Sequence, residues 1–189
     1  MIRIVCLGDS LTEGYLVDTK ETWVSLLNSK FDALFINCGI SGDTTTGMMA
    51  RMQRILIEEK PDVIIILGGT NDLFFGLDEK FIISNIMAMS RHAKHSEVKT
   101  IIGIPPPYYP PLESEKFPFL TPEEYAQKIE KFQRELKAFS SMDDQMIIDF
   151  SCNMIKDLFL DDGLHPNSKG HAAMKENAVQ VLKEKLSLS

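Results

Sequence analysis

Short, unbroken apolar runs alternate along the chain with longer stretches in which apolar residues recur at helical spacing. Ile2-Arg3-Ile4-Val5-Cys6-Leu7, Leu34-Phe35-Ile36-Asn37-Cys38, Val63-Ile64-Ile65-Ile66-Leu67, Val98 to Ile104 and Gln145 to Phe150 all have strand length. The third run is continuous and mostly β-branched, which predicts a central strand buried on both faces. Helices are predicted for Glu21 to Asn28, for Asp43 or Thr44 to Glu59 with a stripe of Met48, Met52, Ile55 and Leu56, and for Asp78 to His95 with Phe81, Ile82, Ile86 and Met89 inward. Thr121-Pro122-Glu123-Glu124 opens another, with threonine as N-cap, proline first and glutamate third, and it runs to about Phe139. A short helical stretch around Asn153 to Leu158 and a closing helix capped by Ser168 and ending near Leu186 complete the series. Strand and helix signals in alternation predict a parallel sheet covered by helices on both faces.

At 189 residues, with 44% hydrophobic residues and neither repeats nor linkers, the chain is expected to form a single domain over residues 1–189. The formal net charge of -7 arises from mixed charges without a basic block, which argues against nucleic acid and anionic membrane surfaces as partners. No apolar run approaches the length of a membrane span, and no secretory leader precedes the first strand, so a cytoplasmic location is expected. Cys6, Cys38 and Cys152 lack metal-ligand spacing and read as buried free thiols. His92 and His95, three apart on a helix, lack a third ligand and read as a solvated face. His171, in the first turn of the closing helix, reads as a packing or surface residue.

Polar clusters follow the strands. Gly8-Asp9-Ser10-Leu11 follows the first, Gly39-Ile40-Ser41-Gly42-Asp43-Thr44 the second, Gly68-Gly69-Thr70-Asn71-Asp72 the third, and Asp161-Asp162-Gly163-Leu164-His165-Pro166 comes after the fifth. In a parallel sheet the carboxyl ends of the strands share one rim, where ligands bind. A serine hydroxyl needs a base within hydrogen-bond reach, and the base needs a group that fixes its tautomer. Ser10 as nucleophile, His165 as base and Asp162 as orienter satisfy both needs, with Asp161 the competing orienter. Acyl transfer also needs donors aimed at the developing oxyanion. The Ser10 N–H, the Gly42 N–H and the Asn71 amide supply three, and glycine at the second place lets backbone approach a substrate without a Cβ between them.

These four blocks, in order and spanning nearly the whole chain, resemble those of the GDSL lipase/acylhydrolase family, also called SGNH hydrolases. The resemblance implies a flavodoxin-like three-layer α/β/α fold with strand order 2-1-3-4-5, a Ser-His-Asp acyl-enzyme mechanism on a small-molecule ester, and the three-donor oxyanion hole. It implies no metal and no organic cofactor. The G-x-S-x-G elbow of α/β-hydrolases is absent around Ser10.

The reading is therefore a serine esterase or acylhydrolase acting on carboxylic esters or thioesters. Lysophospholipase or thioesterase action and carbohydrate O-acetylesterase action both stay open. Phe74 and Phe75, soon after Asn71, and Tyr108 and Tyr109, in the proline-rich connection from Pro105 to Leu120, are candidate walls of the acyl pocket. With Phe117, that long connection is a candidate lid, since structureless loops beyond about 12–15 residues are commonly functional. The rival reading is a non-catalytic flavodoxin-like module binding FMN or a phosphate. The carboxylates of Asp9 and Glu13 in the first loop, uncompensated by a basic residue, oppose it.

Overall fold

The β-branched run Val63–Leu67 forms β3, the middle strand of a five-stranded parallel sheet, and all five of its residues are buried. The computed structural model describes residues 1–111 and 119–188. Around β3 stand β1 (Ile2–Gly8), β2 (Ala33–Gly39), β4 (Lys99–Ile104) and β5 (Met146–Asp149), in the order β2-β1-β3-β4-β5. This is the order that the resemblance implies.

The helices are α1 (Ser10–Glu13), α2 (Trp23–Asn28), α3 (Thr45–Glu59), α4 (Thr70–Phe74), α5 (Glu79–His95), α6 (Pro122–Met142) and α7 (Ser168–Leu186). Because side chains alternate across a strand, each inner strand feeds two cores. Val5, Leu7, Ile64, Ile66, Ile102 and Ile104 pack with α3, α4, α5 and α6. Ile4, Cys6, Val63, Ile65, Leu67 and Ile101 pack with α1, α2 and α7. The connection from β1 to β2 steps one way across the sheet, and those from β2 to β3, β3 to β4 and β4 to β5 step the other way. Right-handed crossovers therefore place α2 on the face opposite α3, α5 and α6. The direction changes between β1 and β3, and there Gly8 stands in register with Gly39 on one side and Leu67 on the other. The turns after β1, β2 and β3 thus leave the same rim side by side.

Local signals account for most boundaries. Thr121 caps α6 through a complete capping box with Glu124, and Pro122 is its first residue. The helix continues to Met142, three residues beyond the expected end. Several other expectations are corrected. Phe81 is 49% exposed rather than inward. The face of α5 that meets the sheet follows Ile82, Ile86, Met89 and Ala93, and a residue one position earlier is rotated about 100° from it. The cap of α7 is Asn167, whose Oδ1 accepts from the N–H groups of Lys169 and Gly170, rather than Ser168. The expected helix from Glu21 divides into a 3-10 turn at Thr19–Glu21 and α2, because the Thr22 side chain caps α2 by accepting from Ser25 N–H. Only a 3-10 turn, Lys156–Leu158, forms near Asn153 to Leu158. Cys6 is buried, but Cys38 is half-buried and Cys152 exposed. The central part of the candidate lid, 112–118 with Phe117, lies outside the described residues. Among the described residues no helix is long and apolar enough to cross a membrane.

Candidate active site

Ser10 is the first residue of α1, directly beyond β1. Asp9 caps this short helix, its Oδ1 accepting from Leu11 N–H at 2.9 Å, and Gly14 closes it in a left-handed conformation. The second oxygen of Asp9 accepts from the Thr70 hydroxyl at 3.0 Å, linking the turns after β1 and β3. Asp9 is fully buried, and burial pushes its carboxyl up to about 6 despite those two hydrogen bonds.

The Ser10 Oγ lies 2.9 Å from His165 Nε2, although 155 positions separate them in sequence. On the other side of the ring, Nδ1 is 2.7 Å from Asp162 Oδ2. A carboxylate only accepts, so Nδ1 carries the proton and Nε2 accepts from the serine hydroxyl. Asp162, rather than Asp161, is thus the carboxylate bonded to the imidazole. Its Oδ1 accepts from Leu164 N–H at 2.8 Å and His165 N–H at 2.9 Å. Burial works against ionisation of Asp162, but the bonds from the His165 ring and from these two backbone N–H groups outweigh it and hold the carboxyl down to about 2. The Tyr15 ring stands against the imidazole, with centroids 4.5 Å apart and planes at 42°.

The turn bearing His165 is braced by the segment after β4. Tyr109 N–H donates to Gly163 O at 2.9 Å, and the Tyr109 hydroxyl donates to Met154 O at 2.6 Å. Gly163 has φ +69°, and a Cβ there would lie 1.8 Å from the Tyr109 carbonyl oxygen. Of the aromatic residues expected near a substrate, Tyr109 therefore supports the histidine turn. Tyr108 is buried with its ring centroid 5.0 Å from that of Tyr125, Phe74 is half-buried against the same tyrosine, and Phe75 is 51% exposed.

The turns with Gly42 and Asn71 meet beside Ser10's end of the sheet. Gly42, at φ +80°, faces open space where a Cβ would stand. The Asn71 amide donates to Asp43 O at 2.9 Å, which places it against the Gly42 turn. Next to it the Asp72 carboxylate accepts from Thr45 N–H and the Thr45 hydroxyl, and Asn85 donates to that hydroxyl, fixing α3 against α4. Arg51 on α3 donates to Asp43 Oδ2, Cys38 O and Gly8 O. The sequence pattern assigns no role to Arg51, because its partners lie on three different segments and the apolar stripe beside it carries no sign of them. Asp72 and Thr45 escape it for the same reason. His171, read only as packing or surface, is buried and accepts from Trp23 N–H through Nδ1. Burial, with His165 nearby, pushes it down to about 4.

Comparison with known proteins points the same way. Esterase TesA of Pseudomonas aeruginosa is 27% identical over 191 residues, covering 95% of this chain and 87% of the relative. An arylesterase of Vibrio mimicus is 30% identical over 95% of this chain and 88% of its own length. The crystal structure of the psychrotrophic esterase EstA from Pseudoalteromonas sp., inhibited by monoethylphosphonate, superposes with a TM-score of 0.78 at 25% identity, covering 99% of this chain and all of that one. The sequence model of the GDSL-like lipase/acylhydrolase family matches residues 6–173. Spanning nearly all of the sheet and every rim cluster, that match shows that the chain belongs to the GDSL-like lipase/acylhydrolase family.

Proposed function

We propose that this ester hydrolase works through an acyl-enzyme on Ser10, with His165 as general base and then general acid and Asp162 as the group that orients and stabilises the imidazolium. The supporting observation is the continuous relay from Ser10 Oγ to His165 Nε2 at 2.9 Å and from His165 Nδ1 to Asp162 at 2.7 Å. As the serine oxygen attacks the ester carbonyl, its proton passes to Nε2. Collapse of the tetrahedral intermediate expels the alcohol, or the thiol of a thioester, which takes that proton. Water then repeats the sequence, with His165 as base, and releases the acid.

The N–H groups of Ser10 and Gly42 find no acceptor among the described residues. With the second hydrogen of the Asn71 amide they form the proposed oxyanion hole. Of the four aromatics expected to wall an acyl pocket, Phe75, at the end of the helix that carries Asn71, is the one that is exposed and so open to an acyl chain. The relatives' names, esterase and arylesterase, support carboxylic esters as substrates, and a shorter match to a thioesterase/lysophospholipase of Escherichia coli keeps thioesters open.

The test is turnover of p-nitrophenyl esters from acetate to palmitate by wild type, Ser10→Ala, His165→Ala and Asn71→Ala. Loss of either relay residue should lower kcat by several powers of ten, and loss of the Asn71 amide by about 10²–10³. Substantial turnover by Ser10→Ala would overturn the nucleophile assignment.

A further inference from the structure

The turn that carries Gly42 is held by a carboxylate from the nucleophile's own helix. Asp43 N–H donates to Ile40 O at 3.1 Å, closing a four-residue turn with Gly42 in third place at φ +80°. This is the backbone of a type II turn, in which the central peptide, here Ser41 to Gly42, is flipped relative to type I. A flip of that peptide would reverse the direction of the Gly42 N–H.

Glu13, the last residue of α1, accepts through Oε2 from Ser41 N–H at 2.7 Å and also from the Ser41 hydroxyl. It therefore grips the residue on the amino side of the flippable peptide. Its own backbone is firmly seated. The Asn37 amide donates to Thr12 O at 2.8 Å, and Gly39 admits the chain so closely that a Cβ there would lie 2.2 Å from Glu13 N. The far side of the turn is held separately, by Arg51 on the Asp43 carboxylate and by Asn71 on the Asp43 carbonyl.

We propose that Glu13 is a positioning residue for acyl transfer. It ties the Gly42 donor to the turn that presents Ser10, so that nucleophile and oxyanion donor keep one geometry before substrate arrives. The proposal rests on the assignment of Gly42 as an oxyanion donor. A donor aligned in advance needs no reorganisation in the transition state. A turn that samples both peptide orientations is competent for only a fraction of the time.

The test compares Glu13→Ala and Glu13→Gln with wild type, Ser10→Ala and Asn71→Ala. The readouts are kcat and KM on a p-nitrophenyl ester, the inhibition constant of an alkylboronic acid that forms a tetrahedral adduct on serine, and the thermal midpoint. Glu13→Ala should lower kcat by about 10- to 100-fold with KM within about two-fold, and weaken the boronate in parallel. Glu13→Gln, which keeps an acceptor oxygen, should recover most of both. Glu13 is exposed, so the midpoint should stay near that of wild type. Wild-type kcat and boronate affinity in Glu13→Ala, with Ser10→Ala inactive and Asn71→Ala impaired, would overturn the role of Glu13 and leave the site reading standing. A rise in KM alone would also overturn it, since that marks uniform binding. An active Ser10→Ala would overturn the site reading and this proposal together.

Discussion

Two glycines in the site are required for different reasons, and alanine separates them. Gly42 needs its positive φ but has open space where a Cβ would go, whereas Gly163 combines φ +69° with the Tyr109 carbonyl oxygen 1.8 Å from the Cβ position. Left-handed backbone alone costs an L-residue about 1–2 kcal/mol. Gly163→Ala adds a clash that no flexible side chain can relieve, and it must displace either the Tyr109 segment or the turn that carries His165. The expected outcome is a drop in thermal midpoint larger than that of Gly42→Ala, together with a fall in kcat, because His165 is two positions away. Melting curves and initial rates on both variants check this, and equal midpoints would refute it. The block Asp162-Gly163-Leu164-His165 was legible as a candidate catalytic turn because carboxylate and imidazole stand three positions apart in it, and the two are hydrogen-bonded. The reason for the glycine was not legible, since the atom it avoids belongs to a residue more than fifty positions earlier.

At the scale of elements, α5 distinguishes pattern from outcome. Phe81 and Ile82 are neighbours in sequence, both apolar and both expected inward, yet one is 49% exposed and the other fully buried. Ile82→Ala should cost about 2–5 kcal/mol and Phe81→Ala no more than about 0.5 kcal/mol, read as the change in urea midpoint at constant slope. Comparable losses would mean that Phe81 is covered in solution. An apolar count along a helix leaves the centre of the buried stripe uncertain by one residue, and a large aromatic at its margin draws the assignment outward. Capping signals are sharper because they are stereochemical. The Thr121 box stands where it was read, whereas Asn167 took the cap of α7 from its neighbour Ser168 because its side-chain oxygen reaches two N–H groups of the first turn.

For the whole molecule, two buried groups give acid stability opposite slopes. His171 is held down to about 4 by burial, with His165 nearby adding to it, against an ordinary 6.5. Between those values the unfolded chain binds more protons, so the stabilisation from keeping this ring neutral is present at pH 7 and is lost as the pH falls toward 4. It amounts to on the order of 3 kcal/mol. Asp9 is pushed up by burial to about 6 from 3.8, so between those values the native state binds more protons and acidification adds stability. Urea midpoints from pH 7 to 4 should therefore show the wild-type advantage over His171→Asn shrinking, while that over Asp9→Asn grows. A pH-independent difference for either variant would remove that group from the balance. Neighbours along the chain were enough to read the five strands, the longer helices, the shared rim, and the serine, glycine, asparagine, aspartate and histidine standing on it, though not the centre of every buried stripe. The pairings across that rim that carry no signal in the chain came from the tertiary structure alone: Asp9 with Thr70, Arg51 with three segments, and Glu13 with Ser41. Those contacts join turns from different strands, and no local spacing records which turns a parallel sheet will set side by side.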